Sequence, residues 1–250
     1  MMAETGESPE FIQKTINALR SKEKDYQANA RVYASLGNRS MIAIAGPTGS
    51  GKTTVTSEVI RLDSDFREVE TTTTRPHRDG DPAGFQTGVS YADFYEGVNA
   101  GEFVNYTVIG QNAYGTYESG FPGTHNIGPI MSKSVIQMLE SGFKNIDVVY
   151  MLVEEAEYER RLRQERMHFS DFKPRLDEAE ESRNFVYAHK NERWLHFVES
   201  SASDDRATKA ASKIINIANH NSGEFMTVDH ALKLLDGMQN ALHRVADDLH

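Results

Sequence analysis

The chain has 250 residues, no cysteine, and 27 basic against 37 acidic side chains, for a formal net charge of -10. Disulfides, thiol catalysis and Cys-ligated metals are excluded, and the acidic balance argues against nucleic acid or an anionic membrane as partner, since nothing pre-neutralises a phosphate surface. A hydrophobic fraction of 38% with 9% aromatics is globular in kind, and the length suits one domain with additions or two small ones.

The start, Met1 to Ser8, lacks the basic and apolar regions of a signal peptide, and no apolar run nears the ~20 residues that span a bilayer. A cytoplasmic chain is expected. Ser8-Pro9 predicts a helix start, and Phe11, Ile12, Ile16, Leu19, Tyr26, Ala30, Tyr33 and Leu36 extend the helical spacing over 8–36 as a packing arm. Met41 to Ala45 reads as a strand buried on both faces. It runs into Gly46-Pro47-Thr48-Gly49-Ser50-Gly51-Lys52-Thr53-Thr54, and Val55, Val59 and Leu62 then keep helical spacing. Residues 66–124, rich in Thr, Gly, Tyr and charge, yield no element order.

Ile146 to Val153 is the second buried strand. A charged helix follows from Glu154 to about Arg166, then a break near Ser170 to Pro174 and a helix from about Arg175 to His189. Leu195 to Glu199 is a short strand and Arg206 to Ala218 a helix. This alternation predicts an α/β core with a mainly parallel sheet. Asn219 to Phe225 reads as a linker. Val228, Leu232, Leu235, Met238, Leu242, Val245 and Leu249 form the apolar stripe of a last helix, Thr227 to His250. Docking on its own domain is one reading of that stripe. A homodimer through the terminal helices is the other, though Gln239 and Ala246 fall on the heptad seam.

Gly46 to Thr53 matches G-x-x-x-x-G-K-[ST] between a strand and a helix, the context that gives the motif its meaning. The glycines let backbone N–H groups curl inward, and the helix N-terminus adds its dipole, so the loop from Gly46 to Thr54 is expected to hold the phosphates of ATP. Lys52 would span the β- and γ-phosphates and Thr53 would be a ligand of Mg²⁺. The loop does not say what receives the phosphate. Arg75 and Arg78, three apart around a proline in Thr71-Thr72-Thr73-Thr74-Arg75-Pro76-His77-Arg78, would make a double fork for one phosphate. A solvated loop paired to Asp79 and Asp81 is the competing reading.

The loop, Thr73-Thr74-Arg75-Pro76-x-Arg78-x-Gly80, Gly101-Glu102-Phe103 and Tyr114-Gly115-Thr116 come in an order and spacing that resembles the guanylate kinase family. Tyr158 to Arg163 and Arg175 to Glu181 resemble the helices on either side of that family's lid. The resemblance covers about residues 40–220. It implies a three-layer P-loop fold with a parallel sheet at 39–220, an acceptor-binding region near 69–120, a lid near 163–175, and added helices at 1–38 and 221–250. It also implies that Arg75, Arg78 and Tyr114 grip the acceptor's phosphate, that Thr71 and Thr116 read guanine, and that Arg166 and Arg175 reach the transferring phosphate beside Lys52.

Some positions depart from the family. Asn105 stands where the family reads guanine with Glu, and Phe85 and Gln86 occupy a stretch where it has Tyr. Thr124 to Gly128 carries no carboxylate where it has Asp-x-Asp, leaving Asp147 and Glu118 as distant stand-ins. The implied activity is transfer of the γ-phosphoryl of ATP to GMP or a related nucleotide. An acceptor that is already anionic needs no general base, so none of the 9 histidines, His77 included, is given a catalytic role. Other readings stay open: a kinase of another phosphorylated acceptor such as ribose 1,5-bisphosphate, an ATP-binding interaction module without catalysis, and a tRNA-modifying prenyltransferase, which the acidic charge disfavours.

Overall fold

The structure, a computed structural model, describes residues 6–77, 81, 84–164, 169–200, 205–220 and 226–248. Its elements begin with α1 (Pro9–Glu23), α2 (Ala30–Leu36), β1 (Ser40–Ala45), α3 (Lys52–Leu62), β2 (Phe66–Glu68) and β3 (Thr72–Thr73). Next come α4 (Tyr91–Asn99), β4 (Phe103–Ile109), β5 (Asn112–Tyr117), β6 (His125–Pro129), α5 (Val135–Leu139) and β7 (Asn145–Leu152). The chain closes with α6 (Glu155–Gln164), α7 (Phe169–His189), β8 (Leu195–Glu199), α8 (Arg206–Ala218) and α9 (Val228–Asp248). Among the described residues no helix is long and apolar enough to cross a membrane.

Contacts divide the chain into two compact units. Met1–Ser40, Arg67–Asn126 and Ser134–Asn145 form the first; Met41–Phe66, Ile127–Lys133 and Ile146–His250 form the second. These units cut across the sequential segments expected at 1–38, 39–220 and 221–250. The N-terminal helices belong with the stretch 67–126, and α9 belongs with the P-loop.

The second unit is α/β and holds β1, β7 and β8, with Phe66 of β2 and Ile127 to Pro129 of β6, from a parallel five-stranded sheet of order β2-β6-β1-β7-β8. β7 and β8 run parallel, with Val148 against Leu195 and Leu152 against Glu199. Side chains alternate across a strand, so β7 serves two layers. Val149 and Met151 join Ile42, Ile44, Val55, Val59, Ala210 and Ile214 in one apolar cluster under α3 and α8. Tyr150 points the other way, and its hydroxyl lies 2.7 Å from Ser182 Oγ on α7. Ser132 Oγ sits 2.8 Å from the same atom, so the polar groups buried there are paired.

The stripe of α9 is docked within this unit. Leu235, Met238, Ala241, Leu242, Val245 and Ala246 are buried, and the helix packs on α6 and α7. Met238 Sδ accepts the Val153 N–H at 3.2 Å. Leu249 lies outside the described residues. The break expected at Ser170 to Pro174 falls inside α7. Phe172, Ala179, Ser182 and Val186, all buried, share one face of that helix, and their packing outweighs one donor missing at Pro174.

In the first unit the single helix expected over 8–36 is two. Ser8 Oγ accepts the Phe11 N–H to start α1, and Asn29 Oδ1 accepts the Val32 N–H to start α2. Ile12, Ile16 and Leu19 are buried against Tyr91, Phe94, Val98, Phe103 and Tyr106, whereas Phe11 is 42% exposed. Glu7 accepts the first N–H groups of α4, at Tyr91 and Ala92. The sheet is antiparallel, of order β3-β5-β4. Its edge strand β4 is covered, because Gln137 Oε1 accepts the Tyr106 N–H at 3.0 Å and Glu23 Oε1 the Val108 N–H at 3.4 Å.

Gly115 lies over the stacked rings of Phe94 and Phe103, whose centroids are 4.5 Å apart. A Cβ there would stand 2.7 Å from Phe103 Cδ1 and 3.1 Å from Phe94 Cζ, and both rings are fully buried. Gly115→Ala is expected to cost about 1–3 kcal/mol, the range for overpacking a closed core. A lower denaturant midpoint at unchanged m-value is the result that checks it.

Candidate functional site

The chain turns from β1 into α3 through backbone that glycine adopts at least cost: Gly46 has φ 134°, Gly49 79° and Gly51 93°. A Cβ on Gly46 would stand 2.9 Å from the Met151 carbonyl oxygen and 3.0 Å from Ser50 Oγ. Gly51 is the N-cap of α3 and offers no side chain to its first turn, whereas Ser8, Asn29 and Ser90 cap α1, α2 and α4. The N–H groups at the head of α3 therefore keep capacity for an outside acceptor, and the helix dipole favours an anion there. Ser50 Oγ is buried without a hydrogen-bond partner among the described residues. Lys52 Nζ folds over the loop, donating to the carbonyl oxygens of Gly46 at 2.6 Å and Pro47 at 3.0 Å. Thr53 and Thr54 are exposed on the first turn. The donor set suits a polyphosphate.

A cavity of about 540 Å³ opens beside the loop, lined among others by Lys52, Thr53, Arg160, Arg161, Gln164 and Arg206. The sequence reading assigns no role to these three arginines. Arg160 and Arg161 follow Glu157 at helical spacing, a signal that could have found them; Arg206 opens a different helix and nothing local marks it. Glu157 is buried and gathers all three. Its carboxylate accepts from Arg160 Nε at 2.7 Å and Arg161 Nε at 2.8 Å, with Arg206 Nη1 at 3.6 Å. The hydrogen bonds from Arg160, and then Arg161, hold the Glu157 carboxyl down to about 2 against the opposing effect of burial.

The same helix braces the loop. Tyr158 Oη donates to the Thr48 carbonyl oxygen at 2.8 Å, and Arg161 Nη1 to the Gly49 carbonyl oxygen at 3.4 Å. Arg161 Nη2 also reaches the carbonyl oxygen of Ser200 at 3.2 Å.

Arg175 lies on α7 beside Glu178. Burial pushes the Glu178 carboxyl up, opposed by the charges of Lys52, Arg175 and Lys133, so two of the expected cations surround one carboxyl. Arg166 and Arg78 lie outside the described residues. Asp147 is the third residue of β7, four before the Met151 that abuts the loop, and its Oδ1 is 2.9 Å from His196 Nε2. Glu118, in the first unit, pairs with Arg39 at 2.6 Å. Both carboxylates are thus engaged elsewhere. Among the described residues no group of three or more His, Asp or Glu is placed to hold a metal ion.

The remaining expected residues meet on the small sheet of the first unit. Asn105 opposes Thr116, Thr107 opposes Tyr114, and Thr73 opposes Tyr114 on the other side. These residues share the face turned away from Phe94, Phe103 and Tyr106. Asn105 and Thr116 are 7% and 5% exposed, and Asn105 Oδ1 has no hydrogen-bond partner among the described residues. Phe85 stacks on Tyr114 with centroids 6.5 Å apart, and the Arg75 guanidinium lies 5.2 Å from the Phe85 centroid. Arg75 also holds Asp81 Oδ1 at 2.6 Å and the Pro76 carbonyl oxygen at 2.9 Å, so the aspartate pairing expected of a plain loop is present. Thr71 precedes β3, and its carbonyl oxygen accepts the Gln86 N–H at 2.8 Å.

No protein-family model matches the chain. Three curated relatives are guanylate kinases. That of Bdellovibrio bacteriovorus is 35% identical over 89 residues, which are 35% of this chain and 48% of the relative. That of Novosphingobium aromaticivorans is 35% identical over 77 residues, 30% of this chain and 35% of the relative. That of Clostridioides difficile is 32% identical over 77 residues, 30% of this chain and 38% of the relative. The matched stretch thus spans half or less of each relative. A crystal structure of guanylate kinase from Anaplasma phagocytophilum aligns over 82% of this chain and 97% of its own, at 16% identity and a TM-score of 0.49. The stretch shared with these curated relatives is 32–35% identical to proteins named guanylate kinase.

The bracing by α6 has a measurable consequence. A carboxylate whose pKa is depressed on folding contributes stability that is present above its unfolded pKa, about 4.3, and lost as pH falls through the folded value. Glu157→Gln is expected to lower the thermal midpoint at pH 7, with the difference closing as the pH falls towards about 2. An equal loss at pH 7 and pH 2 would contradict the ion-pair account.

Proposed function

We propose that this protein is a nucleoside monophosphate kinase of the guanylate kinase kind, transferring the γ-phosphoryl of ATP to GMP or a related nucleotide. The observation that carries the reading is the loop Gly46–Thr54. Its left-handed glycines, uncapped helix, buried Ser50 hydroxyl and overlying Lys52 make a cradle for the phosphates of ATP. The guanylate kinase relatives support phosphoryl transfer as the use of that cradle.

In the proposed reaction an acceptor phosphate oxygen bonds to the γ-phosphorus as its bond to the bridging oxygen breaks, and ADP leaves. Lys52 exchanges its loop carbonyls for phosphate oxygens, and the N–H groups of α3 hold their charge. Arg160, Arg161 and Arg206 line the donor side, with Arg175 and Arg166 assigned to the transferring group. Arg75, Arg78 and Tyr114 hold the acceptor's phosphate, while Thr71, Thr116 and Asn105 read its base. A Mg²⁺ ion bound with the nucleotide would supply neutralisation of phosphate charge. Thr53 would hold it together with the phosphates and water, as suits an ion that keeps several waters. The setting proposed for this chemistry is the cytoplasm.

ATP·Mg²⁺ consumption with GMP, dGMP, AMP, CMP, UMP, dTMP and ribose 1,5-bisphosphate tests the reading. Turnover of a nucleoside monophosphate is expected, with Lys52→Ala slowing it by about 10²–10³-fold, the range for removing one preorganised charge-stabilising group. Preference for ribose 1,5-bisphosphate would move the assignment to a sugar-phosphate kinase. ATP binding without turnover of any acceptor would make the chain an interaction module.

A further inference from the structure

The carbonyl of Asn105 is a buried acceptor with no hydrogen-bond partner among the described residues. A buried acceptor left unpaired is costly, and a ligand that donates to it would remove that cost. Its place is informative. It lies on the polar face of the small sheet, opposite Thr116, and Tyr114, two residues before Thr116 on that face, carries the Phe85–Arg75 stack. A base lying over Asn105 and Thr116 could thus belong to a nucleotide whose phosphate meets Arg75.

An amide has a fixed chemical vocabulary. It presents one acceptor beside two donors, so it pairs with an edge carrying one donor next to one acceptor. In a 6-oxopurine that edge is the ring N1–H beside O6. The 2-amino group of guanine would need a second acceptor, which an amide lacks and a carboxylate has. Resting on the kinase reading above, we propose that Asn105 is a specificity-determining residue that reads the N1–H and O6 of a 6-oxopurine monophosphate. The 2-amino group goes unread, and the acceptor class is widened from GMP to include IMP.

GMP and IMP differ only in that amino group, so their ratio is the direct test. The wild-type protein is expected to use both with kcat/KM values within about tenfold, since discrimination of 10⁴–10⁵ arises only where a site is built to bond the distinguishing group. A GMP:IMP ratio above tenfold would overturn the inference while leaving the kinase reading intact. Turnover of neither, with other acceptors also inert, would remove the kinase reading and this inference with it.

Asn105→Asp, of equal size but acceptor-only, is expected to raise the GMP:IMP ratio at least tenfold; an unchanged ratio would count against Asn105 as the reader. Asn105→Leu separates function from packing. It removes the unpaired acceptor, so the thermal midpoint should hold or rise while kcat/KM for both purines falls tenfold or more. A lower midpoint with unchanged kcat/KM would make Asn105 a structural residue only.

Discussion

The turn from β1 into α3 is the constraint on which the site depends. The chain must leave the middle of a sheet and enter a helix within six residues, Gly46 to Gly51. At Gly46 the Met151 carbonyl leaves no room for a Cβ, and at Gly51 the backbone is left-handed. Both demands exclude ordinary L-residues, and Gly51 also leaves the helix uncapped. The same two glycines that make the turn possible therefore leave the first N–H groups of α3 without a side-chain cap.

A chain of net charge -10 concentrates cations at this one place. Arg160, Arg161 and Arg206 would repel one another if left alone. Glu157, buried among them, offsets that repulsion, fixing the forks of Arg160 and Arg161 by direct hydrogen bonds and pairing with Arg206 at 3.6 Å. Tyr158 and Arg161 carry that order into the loop through the carbonyls of Thr48 and Gly49. α9 presses on α6 from its other side, with Arg244 reaching Glu155 at 2.7 Å and Glu159 at 2.8 Å. The added C-terminal helix is in this way part of the support of the phosphate cradle.

The first unit solves a different problem. A three-stranded sheet exposes two faces, and α1 and α4 cover only one of them with Ile12, Ile16, Leu19, Tyr91, Phe94 and Val98. The other face collects Thr73, Asn105, Thr107, Tyr114 and Thr116. Gly115 belongs to the apolar side while its neighbours Tyr114 and Thr116 belong to the polar one, which is how a three-residue motif serves packing and recognition together.

β1, β7, β8, α3, α6 and α8 were legible because their signals are local. Five apolar residues before a glycine-rich loop, the period of Arg206 to Ala218, and the G-x-x-x-x-G-K-[ST] spacing each lie within a dozen or so positions. The stretch 66–124 was not legible, because its short strands are defined by partners such as Thr73 with Tyr114, forty-one positions apart, and no local period records a register. The break between α1 and α2 and the continuity of α7 through Pro174 were also settled by packing rather than propensity. So too were the pairing of Asp147 with His196 and the entry of Arg206 into the cavity. Residue chemistry alone thus determined where the glycine-rich loop lies between strand and helix and where its backbone turns. Which charges surround it, and which buried amide is left without a partner, depended on contacts between distant segments, and only tertiary structure sets those.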